Sequence, residues 1–402
     1  MAELGMMERL LTLMAQKKAS DLFLAPGSPV QFKLNGLTVP INDQKLDPAT
    51  VVTLIKEVVD EKAWRRFDED HELNLGYGLR GVGSFRVNVF KQRGTAAAVI
   101  RYIPGDIPKL ETLGLPEILK DLIIQKRGLM LVVGATGSGK STTLASLLDY
   151  RNENRTGHIL TLEDPIEYVF KNRRSIVSQR QIGTDTVSLQ VALKNAMRQA
   201  PDCIFIGEIR DIDTMTAAIA YAQSGHLVVA TLHANNANNA LNRILTFYSP
   251  ENRPVLLQDL ASTLKGVVCQ RLLKSSTGGR VPVVEVLLNT RHIQELIEQS
   301  RLSEIKEAME KSMAQGSVTF DQALAVLLAE KKISKEEALA NADSPTNLLW
   351  MLENQKAAPT DPSEDPKIGN GLSSNPPRVS LTPPPGQPNA EGASFSEFLL
   401  NI

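Results

Sequence analysis

The residues best placed to do chemistry form the run Gly134-Ala135-Thr136-Gly137-Ser138-Gly139-Lys140-Ser141, which satisfies G-x-x-x-x-G-K-[ST] at every defined position. It follows an apolar run at 129–133 and precedes a helical stretch at 142–150. That is the strand–turn–helix context in which such a loop cradles phosphate. The glycines let the backbone curl so that successive N–H groups converge on phosphate oxygens, and the helix N-terminus adds positive partial charge. Lys140 is expected to reach the β- and γ-phosphates of ATP and Ser141 to ligate Mg²⁺. Gly134, Thr136, Gly137, Ser138, Gly139 and Thr142 complete the expected cradle.

A phosphate loop needs acids beside it. Cys203-Ile204-Phe205-Ile206-Gly207-Glu208 reads as an apolar strand ending in a carboxylate. In a parallel sheet that end faces the ligand, so Glu208 is expected to act on Mg²⁺ through water. The competing reading pairs it with Arg210. A second cluster, Glu163-Asp164-Pro165-Ile166-Glu167, follows the strand residues Ile159-Leu160-Thr161. Acids at a strand end can orient or deprotonate an attacking water, although acidic loop residues are also often merely solvated. His226 and His233 bracket the apolar run 227–232. His233, at the C-terminal end, lies on the site side of the sheet and is expected to contact the γ-phosphate or relay its presence. His226 starts the strand, and the same logic supports it less.

These residues require a scaffold of the α/β class. Short apolar runs at 129–134, 158–163, 176–180, 203–208 and 227–232 alternate with helical stretches, which predicts a largely parallel sheet covered by helices. Beyond about residue 293 the chain reads as short helices to about 352. The first hundred residues read as a smaller α/β domain. Leu4, Met7, Leu10, Leu11 and Met14 recur at helical spacing. Short strands fall in 21–41, a helix in 48–68, and an antiparallel meander in 72–102, where Phe85-Arg86-Val87-Asn88-Val89-Phe90 alternates. Pro104, Gly105 and Pro108 mark a linker. The expected division is 1–104, a linker at 105–112, an ATP-binding domain with C-terminal helices at 113–356, and a tail at 357–402. The tail holds nine of the 22 prolines and few aliphatics, so it is expected to be disordered. It closes on Phe395, Phe398, Leu399 and Leu400, read either as a frayed end or as a tethered docking motif.

Composition removes several classes. Lys plus Arg number 44 and Asp plus Glu 45 in 402 residues, for a net charge of −1. That balance argues against a nucleic-acid partner. Two cysteines, Cys203 and Cys269, cannot make a disulfide framework or a four-cysteine zinc site. The expectation is a reduced, cytoplasmic protein with no signal peptide and no transmembrane segment.

The phosphate loop, Glu163-Asp164-Pro165-Ile166-Glu167, Gly207-Glu208-Ile209-Arg210, Gly225-His226 and Ala230-Thr231-Leu232-His233-Ala234 occur in an order that resembles the type II/type IV secretion ATPases. Ala19-Ser20-Asp21-Leu22-Phe23-Leu24 and Ser84-Phe85-Arg86-Val87-Asn88-Val89-Phe90 extend the resemblance to the PilT/PilU branch of type IV pilus retraction ATPases, on its PilU side. The resemblance covers about residues 3–353. It implies a RecA-like P-loop core, an N-terminal PAS-like domain and a homohexamer. It also implies Glu163 as the catalytic glutamate, His226 and His233 as the His box, and Arg86 and Arg101 as arginines that reach the γ-phosphate. Such arginines neutralise charge developing in phosphoryl transfer. The bland alternative makes each a surface strand arginine.

The implied partners are a PilT-type retraction ATPase and a PilC-type platform protein at the inner membrane face. The tail motif could dock a partner or a neighbouring ring. Two departures stand out. Phe23 occupies a position where PilT-type chains commonly carry His. The helix Thr290-Arg291-His292-Ile293-Gln294-Glu295-Leu296-Ile297-Glu298 lacks the pattern needed for retraction in PilT-type chains. The implied function is PilT-dependent retraction powered by ATP hydrolysis. The alternative is an ATP-binding ring that assists PilT without its own hydrolysis. A pilus-extension ATPase is disfavoured because a four-cysteine zinc motif is missing, and a helicase because no basic excess exists.

Overall fold

The computed structural model describes residues 5–34, 36–103, 106–312 and 314–356. The expected tail at 357–402, with its terminal apolar motif, lies outside the described residues, as do Leu4, Pro104 and Gly105.

The N-terminal region is built on an antiparallel sheet. Helix α1 (Met6–Gln16) turns Met7, Leu11 and Met14 inward, as its spacing predicts. Strands β1 (Asp21–Leu24), β2 (Pro29–Leu34) and β3 (Leu37–Lys45) follow. The helix expected over 48–68 is two helices, α2 (Pro48–Lys56) and α3 (Glu61–Asp70). Capping explains the break. The Asp60 side chain accepts from the N–H of Ala63 at 2.7 Å and starts a new helix. Asp47 does the same for α2 through Thr50 N–H at 2.9 Å.

The meander is β4 (Glu72–Leu79), β5 (Gly83–Gln92) and β6 (Thr95–Ile103), giving a six-stranded sheet of order β3-β2-β1-β6-β5-β4. Along β5, Phe85, Val87 and Val89 are fully buried. Strand period two therefore throws Arg86 onto the opposite, exposed face.

Helix α4 (Ile118–Ile123) leads into the second sheet. Its parallel part follows the expected alternation: β7 (Gly128–Val133), α5 (Lys140–Asn154), β8 (Gly157–Glu163), β9 (Ser175–Gln181), α6 (Leu189–Ala196), β10 (Cys203–Ile206), α7 (Ile212–Gln223), β11 (Leu227–Leu232) and α8 (Ala237–Thr246). Strand β10 ends at Ile206, so Gly207 and Glu208 form the turn beyond it rather than its last residues.

Helix α9 (Arg253–Thr263) precedes a hairpin that the sequence reading did not anticipate, β12 (Leu264–Lys274) and β13 (Arg280–Leu288). The seven-stranded order is β13-β12-β7-β11-β10-β8-β9, with only β13 antiparallel to its neighbour.

Every residue of β7 and β11 is buried, because helices cover both faces of a parallel sheet. Leu129, Leu131 and Val133 meet residues of α7, α8 and α9, while Met130 and Val132 meet α4 and α5. Each such side chain contributes about 1.5–3 kcal/mol of burial.

The described residues close with helices α10 (Arg291–Glu298), α11 (Ile305–Glu310), α12 (Phe320–Ala329), α13 (Lys335–Asn341) and α14 (Pro345–Lys356). A buried carboxylate, Glu285 of β13, joins two helix starts by accepting from Ala237 N–H at 2.7 Å and Phe320 N–H at 3.3 Å. The two sheets have separate apolar cores within one compact unit, which reaches to Gln355. No described helix is long and apolar enough to cross a membrane.

Candidate nucleotide site

Strand order gathers the chemistry at one edge. Strands β7, β11, β10 and β8 are successive neighbours. Their C-terminal ends carry, in that order, the phosphate loop, His233, Glu208 and Glu163. This is where open α/β sheets bind ligands.

The loop between β7 and α5 has the backbone its glycines require. Gly139 caps α5 at φ +88°, and a Cβ there would stand 2.7 Å from Nε2 of Gln270. Only glycine fits both constraints. Lys140 curls back over the loop, its Nζ donating to the carbonyls of Gly134 at 2.7 Å and Ala135 at 2.8 Å. Burial pushes its pKa down, and the carboxylates of Glu208 and Glu167 oppose that. Ser138 Oγ is buried with no hydrogen-bond partner, which suits a loop built to receive an anionic ligand.

A cleft of about 960 Å³ opens over the loop. It is lined by Thr136, Gly137, Gly139, Lys140, Ser141 and Thr142, and also by Glu163, Glu208, His233, Arg86 and Arg101. A second groove of about 680 Å³ is lined by Gly134, Thr136, His233 and Arg243 among others.

Glu163, the last residue of β8, is 7% exposed. Its Oε1 accepts from Thr161 Oγ1 at 2.6 Å and from Gln179 Nε2 at 3.1 Å. Burial pushes its carboxyl above the ordinary range, and those two donors pull it back. A buried carboxylate of raised proton affinity suits a general base.

Glu208 is shared. Its Oε2 accepts from Arg210 Nε at 2.7 Å and its Oε1 lies 3.2 Å from His233 Nε2. The predicted pairing with Arg210 is therefore present, at a residue that also faces the loop. Among the described residues no three His, Cys, Asp or Glu side chains cluster to hold a metal alone. A hydroxyl at Ser141 with one carboxylate at Glu208 suits Mg²⁺, which keeps waters and takes its other oxygens from substrate phosphates.

Arg86 and Arg101 face each other across β5 and β6 and reach the cleft from the N-terminal sheet. His226 is not brought into the cleft. It stands at the opposite end of β11, its Nδ1 at 3.1 Å from Ser224 Oγ and 3.2 Å from Tyr221 O. Three residues that the sequence reading did not single out enter here. Asp21 holds Arg101, Gln179 holds Glu163, and Tyr168 OH lies 2.9 Å from Thr142 Oγ1. No local spacing announces them, since each acts across strands or loops.

Residues 3–338 match the family model described as type II/IV secretion system protein. The chain is 48% identical to the type IV pilus ATPase PilU of Pseudomonas aeruginosa, over 86% of this chain and 91% of the relative. It is 38% identical to the type IV pilus retraction ATPase PilT of the same organism, over 84% of this chain and 98% of the relative. Among solved structures, that of the pilus retraction motor PilT with bound ADP superposes with a TM-score of 0.82 at 38% identity, covering 87% of this chain and 100% of that one.

Proposed function

The chain belongs to the type II/IV secretion system protein family and is an ATPase of its PilT/PilU branch, and from that premise we propose that it is a motor of type IV pilus retraction. One observation carries the proposal. A single cleft brings together a phosphate loop and two acids from one sheet with Arg86 and Arg101 from the other. Phosphates on the loop N–H groups draw Lys140 off the carbonyls of Gly134 and Ala135. Ser141 and Glu208 would hold Mg²⁺, which would supply neutralising charge to the nucleotide phosphates. Glu163 orients the attacking water and takes its proton. Arg86 and Arg101 neutralise charge developing on the γ-phosphoryl group. His233, beside Glu208, reports whether that group is present.

Because the two arginines and the phosphate loop sit on different sheets, nucleotide turnover pulls the N-terminal region (1–104) against the ATPase region (113–356). In a homohexamer that motion turns a PilC-type platform protein at the inner membrane face, in concert with a PilT-type ring. That Lys140, Ser141, Glu163 and Glu208 line one cleft supports hydrolysis as part of the role. The variant Lys140→Ala tests the site: ATP hydrolysis and fluorescent-nucleotide binding should both be lost, and hydrolysis at the wild-type rate refutes it. Twitching motility of a Glu163→Gln strain that also carries a weakened PilT-type motor tests the role. Retraction should fail, and normal retraction leaves only a structural part for this chain.

A further inference from the structure

The carboxylate of Glu163 is clamped by a side chain from the neighbouring strand. Parallel register places Gln179 of β9 directly beside Thr161 of β8, and Gln181 beside Glu163. Neighbouring residues in a sheet share a face, so Thr161, Glu163 and Gln179 converge on one spot. Oε1 of Glu163 receives both the Thr161 hydroxyl at 2.6 Å and the Gln179 amide at 3.1 Å.

The Gln179 amide is used at every atom. Its Nε2 also donates to Tyr168 O at 2.8 Å, and its Oε1 accepts from Phe170 N–H at 2.9 Å. A primary amide has two N–H donors and one carbonyl acceptor. Here two acceptors face the nitrogen and one donor faces the oxygen. A flipped amide would set its oxygen against a carboxylate and a carbonyl, so the network admits one orientation. The contacts continue to the phosphate loop. The hydroxyl of Tyr168 lies 2.9 Å from Thr142 Oγ1, in the first turn of α5 just past Lys140 and Ser141.

We propose that Gln179 is the positioning residue for the attacking-water base. It sets the orientation of the Glu163 carboxylate and ties it, through Tyr168, to the helix that cradles the phosphates. The proposal rests on Glu163 being that base. Its logic is geometric: with Oε1 held by two donors, the carboxylate cannot rotate freely. Without Gln179 the carboxylate loses the one donor that also ties it to the neighbouring strand, and the loop loses its anchors at Tyr168 and Phe170.

The experiment compares wild type, Gln179→Met, Glu163→Gln and the double variant in ATP turnover, with fluorescent-ADP binding in parallel. In Gln179→Met, kcat should fall about 10- to 100-fold, the range for a lost hydrogen bond to a charged group, with nucleotide Kd within about twofold of wild type. Added to Glu163→Gln, the same change should cost no further activity, because its effect runs through that carboxylate. Gln179→Glu preserves the shape and sets a carboxylate oxygen against Glu163. It should show the same loss with the same Kd, and it serves if the Met variant does not fold. Turnover within twofold of wild type in either variant overturns the proposal, as does an equal proportional loss on the Glu163→Gln background. Wild-type turnover by Glu163→Gln alone overturns instead the reading of Glu163 as the base.

Discussion

Asp21 and Arg101 are register partners on antiparallel strands β1 and β6, and their side chains meet, Oδ1 to Nε, at 2.8 Å. The acid is 5% exposed and the arginine 63%. A fixed, buried partner thus anchors one side of a guanidinium whose far end is free to reach the cleft. An ion pair with one exposed member is worth about 0.2–1 kcal/mol. Asp21→Asn should therefore lower kcat about two- to five-fold, with Arg101→Ala falling further. Steady-state ATP turnover of both variants checks this, and an unchanged Asp21→Asn would show that the arginine orients itself.

Gly139→Ala should lose nucleotide binding without touching any charged group. An L-residue at left-handed φ costs about 1–2 kcal/mol, and the new Cβ would meet Gln270 Nε2 at 2.7 Å. Fluorescent-ADP titration should show affinity down by about 10-fold or more, with a lower unfolding temperature. Retained affinity would mean that the loop accommodates a side chain.

Glu163 also predicts a pH dependence of stability. Burial raises its folded-state proton affinity above the ordinary value of 4.5. Above 4.5 the unfolded chain ionises first, so the folded state binds more protons and stability falls as pH rises through the raised native value. Burial raises Glu285 in the same direction. Glu163→Gln removes the first of these penalties. It should unfold at a higher temperature than wild type at neutral pH, and the gap should close below 4.5. Thermal melts across that range decide the matter, and a lower melting temperature at neutral pH contradicts it.

The C-terminal helices hang on Arg271 of β12. Its guanidinium pairs with Asp343 at 2.6 Å, donates to the carbonyls of Asn341 at 2.5 Å and Asn235 at 3.0 Å, and lies 3.8 Å over the Phe320 ring. Truncating one member of such a pair strands the others, so Arg271→Ala should cost about 2–3 kcal/mol, less than for a fully buried pair. Hydrogen exchange should rise around 335–350. Unchanged exchange there would place the anchorage elsewhere.

Much of the site could be read directly. The phosphate loop, Glu163, Glu208 and His233 each sit at or just past the C-terminal end of an apolar run, and the strands end within two residues of where those runs stop. Other features could not be read. Glu208 has two readings in the sequence; the structure shows the pairing with Arg210 at one carboxylate oxygen and adds His233 at the other, which no spacing predicted. The hairpin β12–β13 escaped because its residues form long, half-alternating runs rather than short strands between helices. The split at 57–60 escaped because an apolar helical period runs through it, while α2 stops at Lys56 and the Asp60 cap starts a new helix. His226, weaker than His233 on strand position and included through the family resemblance, stands at the far end of the same strand.

The sequence by itself determined the phosphate cradle and the class of sheet that carries it. A loop of eight residues encodes its own backbone, through where glycine is required, and an apolar run encodes its own burial. Only the tertiary structure decided which side chains hold the residues around the cradle. Gln179 reaches Glu163, and Asp21 reaches Arg101, through register between strands 16 and 80 residues apart. Register follows from how whole faces are buried against helices, and no spacing within the chain records that.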